Sequence, residues 1–309
     1  MQSVLSRGDL ILRKDVEEFE QNFSKFVGAR YAVGVASGTD ALILSLKVLG
    51  IGNGDKVLTP SYTFRAAVEA IHHVGATPVL YDMDGKIDFT SDIKAFVPAY
   101  LEGEVPPGIG GVIDSCKLNG MKVVEDACQA IGAAPVRGDT ACYSFYPAKI
   151  LGCYGDGGAI ATDNEGIYEE LKMMRNHYKG DWSKYGYNSR LDNLQAAVLN
   201  VKLKYLPEVL GRRKAIADRY SDELKGVGLP TRREVYQDYV VSHEKRNILR
   251  AYLASKGIET MANEYPFPSG LQKGRLAQEY EKHSVRIPCN ETLTDEEVGY
   301  VIEMINAFK

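Results

Sequence analysis

Lys149 closes the segment Ser144-Phe-Tyr-Pro-Ala-Lys149, just past an apolar run. In partly apolar surroundings a lysine loses charge, and a neutral amine attacks carbonyl carbon. The same residue reads equally as an exposed charge. Val123-Val-Glu-Asp126 sets two carboxylates at the end of another apolar run. At the carboxyl edge of an open α/β sheet, an acid either holds a charged ligand nitrogen or faces water. Ser37-Gly-Thr39 lies between a strand-like stretch and a helix. Free backbone N–H groups and the helix dipole attract anions there, although an N-cap at Thr39 or Asp40 explains the same residues. Gly155-Asp-Gly-Gly158 and Gly50-Ile-Gly-Asn-Gly54 read as loops. Neither is a GxGxxG, and no GxxxxGK[ST] occurs, so dinucleotide and P-loop readings lack their fingerprints. His72 and His73 fall on a helix, and His177, His243 and His283 are scattered, with no HExxH and no Ser/His/Asp order.

These residues need a scaffold, and the patterning supplies one. Short apolar runs alternate with amphipathic segments, which predicts an α/β fold with a mostly parallel buried sheet. Strands are expected at Tyr31–Val35, 56–59, Thr77–Tyr81, 122–125, 140–145 and Gly158–Thr162. Helices are expected over 14–27, from the Ser37-Gly-Thr-Asp40 turn to Leu49, and over 63–74. Two long helices follow, over 191–206 and 208–225, separated by Pro207. A strand over 236–241 and a helix over 246–256 come next. Thr294-Asp-Glu-Glu297 reads as a capping box opening a last helix. The organisation expected is a large domain over 1–205 and a smaller α+β domain over 206–309.

Composition narrows the class. The 309 residues are 45% hydrophobic and 25% charged, a globular balance that excludes a disordered chain. A net charge of −4 disfavours a general nucleic-acid binder. No apolar run approaches the ~20 residues that span a bilayer, and the N-terminus lacks a signal-peptide pattern. Five scattered cysteines show no metal-ligand spacing and no disulfide framework. The expectation is a reduced, cytoplasmic protein.

Taken in order, these segments resemble the DegT/StrS family of sugar aminotransferases, fold-type-I enzymes that use pyridoxal 5′-phosphate (PLP). The resemblance runs from Leu5 to the end. It is carried by Ser6-Arg-Gly-Asp-Leu-Ile11, Val16-Glu-Glu-Phe-Glu20, Ala36-Ser-Gly-Thr-Asp-Ala-Leu42 and Thr59-Pro-Ser-Tyr-Thr-Phe64. The most specific segments are Val124-Glu-Asp-Ala-Cys-Gln-Ala130, Ser144 to Lys149 with Gly155-Asp-Gly-Gly158, and Gly186-Tyr-Asn-Ser-Arg-Leu-Asp192 followed by Leu194-Gln-Ala-Ala197. The resemblance implies that Lys149 forms the internal aldimine with PLP and shuttles a proton. It implies that Asp126 pairs with the pyridinium nitrogen, Gln129 bonds the ring oxygen and Phe64 stacks on the ring. Ser37, Gly38, Thr39 and Ser144 would hold the phosphate. Asn188 would reach the phosphate from a neighbouring subunit, in a homodimer with shared active sites.

The implied reaction moves an amino group, from L-glutamate in most of the family, to a nucleotide-linked keto-deoxysugar in two half-reactions. The alternatives are a PLP-dependent sugar dehydratase, or a PLP-binding regulatory protein without turnover. The dehydratase branch replaces the lysine with histidine, so Lys149 argues against it; the Lys149, Asp126 and Gln129 set argues against a regulatory role. Three segments depart from the family. A usual HYP reads Glu264-Tyr-Pro266, Gly270 precedes Leu271-Gln272 where a histidine is usual, and a usual PVHLYG reads Pro98-Ala-Tyr-Leu-Glu-Gly103. The chain also looks shortened between Asp84 and Val97 and between Gly132 and Ala141. The cofactor side is thus expected intact and the sugar side altered.

Overall fold

The computed structural model describes residues 1–84, 87 and 92–309. The N-terminal half runs α1 (Gln2–Arg7), α2 (Lys14–Phe26), β1 (Tyr31–Val35), α3 (Gly38–Val48), β2 (Lys56–Pro60), α4 (Arg65–His73), β3 (Thr77–Tyr81) and β4 (Ile93–Phe96). It continues through α5 (Ile109–Leu118), β5 (Lys122–Asp126), β6 (Thr140–Ser144), β7 (Gly158–Thr162) and α6 (Glu165–Met174). The rest comprises α7 (Asn193–Glu223), β8 (Tyr239–Ser242), α8 (Arg246–Ser255), β9 (Met261–Ala262), α9 (Arg275–His283), β10 (Ser284–Ile287) and α10 (Asp295–Ala307).

Seven strands form one sheet in the order β1-β7-β6-β5-β4-β2-β3. Only β7 runs against the other described strands of this sheet. The central strands are near-continuous apolar runs because both faces are covered. One face packs Phe19, Phe23, Phe96, Phe145 and Leu199; the other packs Leu42, Leu44, Leu46 and Ile71. A three-stranded antiparallel sheet, β8-β10-β9, builds a third core with Tyr220, Leu249, Leu253 and Ile302. No helix among the described residues is long and apolar enough to cross a membrane.

The expected strands of the large sheet occur, with β4 in addition. β4 is only four residues long, so it offers little periodicity to detect, yet it pairs with both β2 and β5. Part of the shortened stretch between Asp84 and Val97 lies outside the described residues. The expected break at Pro207 is not there: α7 is one helix of 31 residues with Pro207 inside it. An interior proline costs about 3 kcal/mol. Packing on both sides of it offsets that cost, since Leu199, Leu203 and Leu206 are buried in one core and Ile216, Ala217 and Tyr220 in another. Pro207 itself lies on the exposed side. The C-terminal strand also begins later than expected, at Tyr239 rather than Tyr236.

The capping box at α10 is complete. Thr294 Oγ1 accepts from Glu297 N–H at 3.2 Å, and Glu297 Oε2 accepts from Thr294 N–H at 2.8 Å. Thr294→Ala is therefore expected to cost about 1 kcal/mol, read as a lower urea midpoint at constant slope. An unchanged midpoint would show that the cap contributes nothing.

Candidate active site

The strands point their carboxyl ends at one cavity of about 390 Å³. Ser37 follows β1, Phe64 follows β2, Asp126 ends β5 and Ser144 ends β6. Ser37, Gly38, Thr39, Phe64, Asp126, Gln129, Ser144 and Lys149 all line it. A parallel sheet gathers loops at this edge, so residues more than a hundred positions apart meet there.

One wall is the N-terminus of α3. The cap is Ser37, not Thr39 or Asp40: its backbone is extended, and its Oγ accepts from Asp40 N–H at 3.0 Å. Its hydroxyl hydrogen remains available to donate. Two glycines let neighbouring segments close on this turn. A Cβ on Gly38 would lie 2.8 Å from Ser144 Cβ, and one on Gly158 would lie 2.4 Å from the Ser37 carbonyl carbon. The cradle thus combines unpaired helix N–H groups, the dipole, and the hydroxyls of Ser37, Thr39 and Ser144, an arrangement suited to a phosphate.

Opposite it lies Asp126, 6% exposed. Its Oδ1 accepts from Cys128 N–H at 3.2 Å. No cation stands within ion-pair distance among the described residues. Burial pushes its carboxyl above the usual range, with Cys128 and the charge of Lys149 opposing that shift. Its neighbour Glu125 points to the other face of the strand, as pleating requires. There it accepts from the N–H groups of Arg137 and Gly138 and from the Tyr100 hydroxyl. Of the two carboxylates in this segment, only Asp126 reaches the cavity.

Gln129 is buried, and its Oε1 accepts from Glu102 N–H at 2.8 Å. That bond fixes the amide orientation and leaves Nε2 as the group able to donate. Phe64 is the residue before α4, with 47% of its surface exposed and its ring edge-on to Tyr265. Lys149 is half-buried in the loop after β6, and its Nζ makes no hydrogen bond or ion pair among the described residues. Asn188 is not brought into this cavity: it is exposed, in a bridge with Asn176.

The C-terminal region supplies walls that sequence patterning did not reveal. Gln237, Asp238, Met261, Tyr265 and Arg286 line the same cavity. Arg286 lies over the Tyr265 ring at 4.8 Å, donates to Asn263 Oδ1 at 2.6 Å and sits 3.7 Å from Asp238. Asn263 donates in turn to Glu102 Oε1 at 2.7 Å. Glu102 is buried with φ +60°, a backbone region that costs a non-glycine residue about 1 kcal/mol or more. The departure from the usual family segment at Pro98–Gly103 was the available signal for Glu102, and Glu264-Tyr-Pro266 was the signal for Tyr265.

A helix N-terminus with hydroxyls, and a buried carboxylate and a lysine that have no ion-pair partner among the described residues, meet on one sheet edge, an arrangement that suits group transfer. The model of the DegT/DnrJ/EryC1/StrS aminotransferase family matches residues 1–306, and the chain belongs to that family. It is 39% identical over 297 residues to dTDP-3-amino-3,4,6-trideoxy-alpha-D-glucose transaminase of Streptomyces venezuelae, covering 87% of this chain and 77% of that protein. The fold superposes with a TM-score of 0.92 on DesV of S. venezuelae, solved in complex with a ketimine intermediate. That structure is 34% identical, with 99% of this chain and 92% of the other covered. NtdA from Bacillus subtilis, solved with bound cofactor PMP, gives a TM-score of 0.88 at 29% identity, over 98% of this chain and 79% of that one.

Proposed function

We propose that this chain is a PLP-dependent aminotransferase that passes an amino group from an amino acid, L-glutamate, to a nucleotide-linked keto-deoxysugar. The observation that carries the reading is Asp126. A buried carboxylate with no cation partner is costly, and a cofactor with a protonated ring nitrogen supplies that cation. The residues present fit PLP in its other parts too, with the α3 cradle for the phosphate and an unpaired amine for the carbonyl carbon. When bound, PLP supplies the electron sink.

The chain's own residues do the rest. Ser37, Gly38, Thr39 and Ser144 would anchor the phosphate, with the α3 dipole strengthening the hold. Asp126 would keep the ring nitrogen protonated, and Gln129 Nε2 would be the donor available to the ring oxygen. Phe64 would cover a ring face and limit water. Lys149 Nζ would hold the group through its carbonyl carbon and, as a free amine, would take the proton from the substrate carbon and return it. Asn188 belongs in this reading to the site of a second copy, in a homodimer with shared sites. One relative is named as a transaminase of dTDP-3-amino-3,4,6-trideoxy-alpha-D-glucose, which supports a sugar ketone as the acceptor.

The test is a product screen. Protein loaded with pyridoxamine phosphate is mixed with a panel of nucleotide-linked ketosugars and read by mass spectrometry. An amino sugar nucleotide, with the absorbance of free or lysine-bound PLP returning, is the expected result. Loss of the sugar hydroxyl with ammonia release would establish a dehydratase; no product together with no spectral change and no 2-oxoglutarate on adding L-glutamate to the PLP form would favour a regulatory protein.

A further inference from the structure

Lys149 sits in a loop, 145–152, with no regular structure, and what fixes that loop decides where its amine points. The ends are tied. Phe145 N–H donates to Gly157 O at 2.8 Å, Cys153 N–H to Phe145 O at 2.8 Å, and Lys202 Nζ to Gly152 O at 2.6 Å. Lys149 N–H donates within the loop to Tyr146 O at 2.8 Å, and the outward-facing groups of the two flanking peptides are held by a side chain. Ile150 N–H donates to Gln237 Oε1 at 3.2 Å, and Gln237 Nε2 donates to Ala148 O at 3.0 Å. One amide side chain thus spans the lysine, accepting on one side and donating on the other. Ile150 is buried, so its N–H would lose most of its hydrogen bonding without Gln237.

Gln237 is itself fixed from two directions. Its N–H donates to Glu102 O at 3.1 Å, and its carbonyl accepts from Arg213 Nη1 at 3.1 Å. Arg213 is buried on α7 and paired with Glu291 at 2.8 Å. The Glu102 N–H meanwhile holds Gln129. A single left-handed residue therefore sets both the side chain expected on the cofactor ring and the clamp on the lysine loop.

We propose that Gln237 is a positioning residue for Lys149: its side-chain amide clamps the peptides on either side of the lysine and sets the direction of Nζ. The proposal rests on Lys149 being the PLP-binding lysine. It acts through the backbone, so it makes no contact with substrate in this role.

Gln237→Met removes both bonds at similar size; Gln237→Glu keeps an acceptor for Ile150 N–H and removes the donor to Ala148. Two readouts separate positioning from mere packing. Amide hydrogen exchange at Ile150, which needs no cofactor, should accelerate about tenfold or more in the Met variant and stay near wild type in the Glu variant. The rate at which added PLP develops its visible lysine-bound band should fall about tenfold in both, and the pH midpoint of that band should move. Unchanged Ile150 exchange in the Met variant overturns the clamp. An unchanged loading rate and pH midpoint in a folded variant, judged by its thermal midpoint, overturns the positioning role; the Glu variant carries this test if the Met variant does not fold. A wild-type chain that never develops the band overturns the Lys149 assignment instead, and the exchange measurement tells that failure from a failure of the clamp.

Discussion

Lys149→Ala is expected to abolish the visible absorbance of the lysine-bound cofactor and to lower turnover by about 10⁴-fold or more. The structure makes this substitution clean. Lys149 Nζ has no hydrogen bond or ion pair among the described residues, so truncation leaves no partner orphaned. Its loop is held through backbone groups that alanine retains. The thermal midpoint of the cofactor-free protein should therefore move by no more than about 1 °C, a fraction of a kcal/mol for a chain of this length. Loss of activity with an intact fold would assign the amine; full turnover, or a visible band that persists, would sink the assignment.

Asp126→Asn carries the second large effect. Turnover is expected to fall about 10²- to 10³-fold, the scale seen when a preorganised electrostatic partner is removed. The amide still accepts from Cys128 N–H at the Oδ1 position, so local geometry should persist. Stability should respond in the opposite direction. Burial raises the Asp126 pKa in the folded protein, so the ionised form is disfavoured there. The contribution of this group is fully present below the unfolded carboxylate range and is lost as pH rises through the folded value. The cofactor-free Asn variant should therefore match or exceed wild type at neutral pH, and its advantage should shrink on acidification. A turnover equal to wild type would remove Asp126 from the ring-nitrogen role.

Much of the cavity lining was legible because its residues end strands or start helices. Asp126, Ser144 and Ser37 each sit where an apolar run stops, and a parallel sheet brings such positions to one edge. What patterning missed has physical causes. β4 is four residues long and gives no measurable period. Pro207 reads as a helix break locally, but burial on both sides of it outweighs its local cost. Ser37 takes the cap because its extended backbone aims Oγ at Asp40 N–H, a choice among three polar neighbours that spacing alone leaves open. The strand expected from Tyr236 starts at Tyr239, leaving Gln237 outside the ladder and its side chain free to reach the lysine loop. Arg286 and Met261 enter the cavity through the register of β10 with β9, which no local signal encodes.

The continuous α7 has a consequence for modularity. At 1.5 Å per residue it is a rod of roughly 46 Å, with one core gripping its first half and another its second. Arg213, in its second half, holds the carbonyl of Gln237, and Gln237 holds the lysine loop. The N-terminal part is accordingly not a portable unit. A gene fragment ending near residue 205 would lack half of its own buried helix and the side chain that bridges the Lys149 loop, so recombination is expected to exchange the two regions only together.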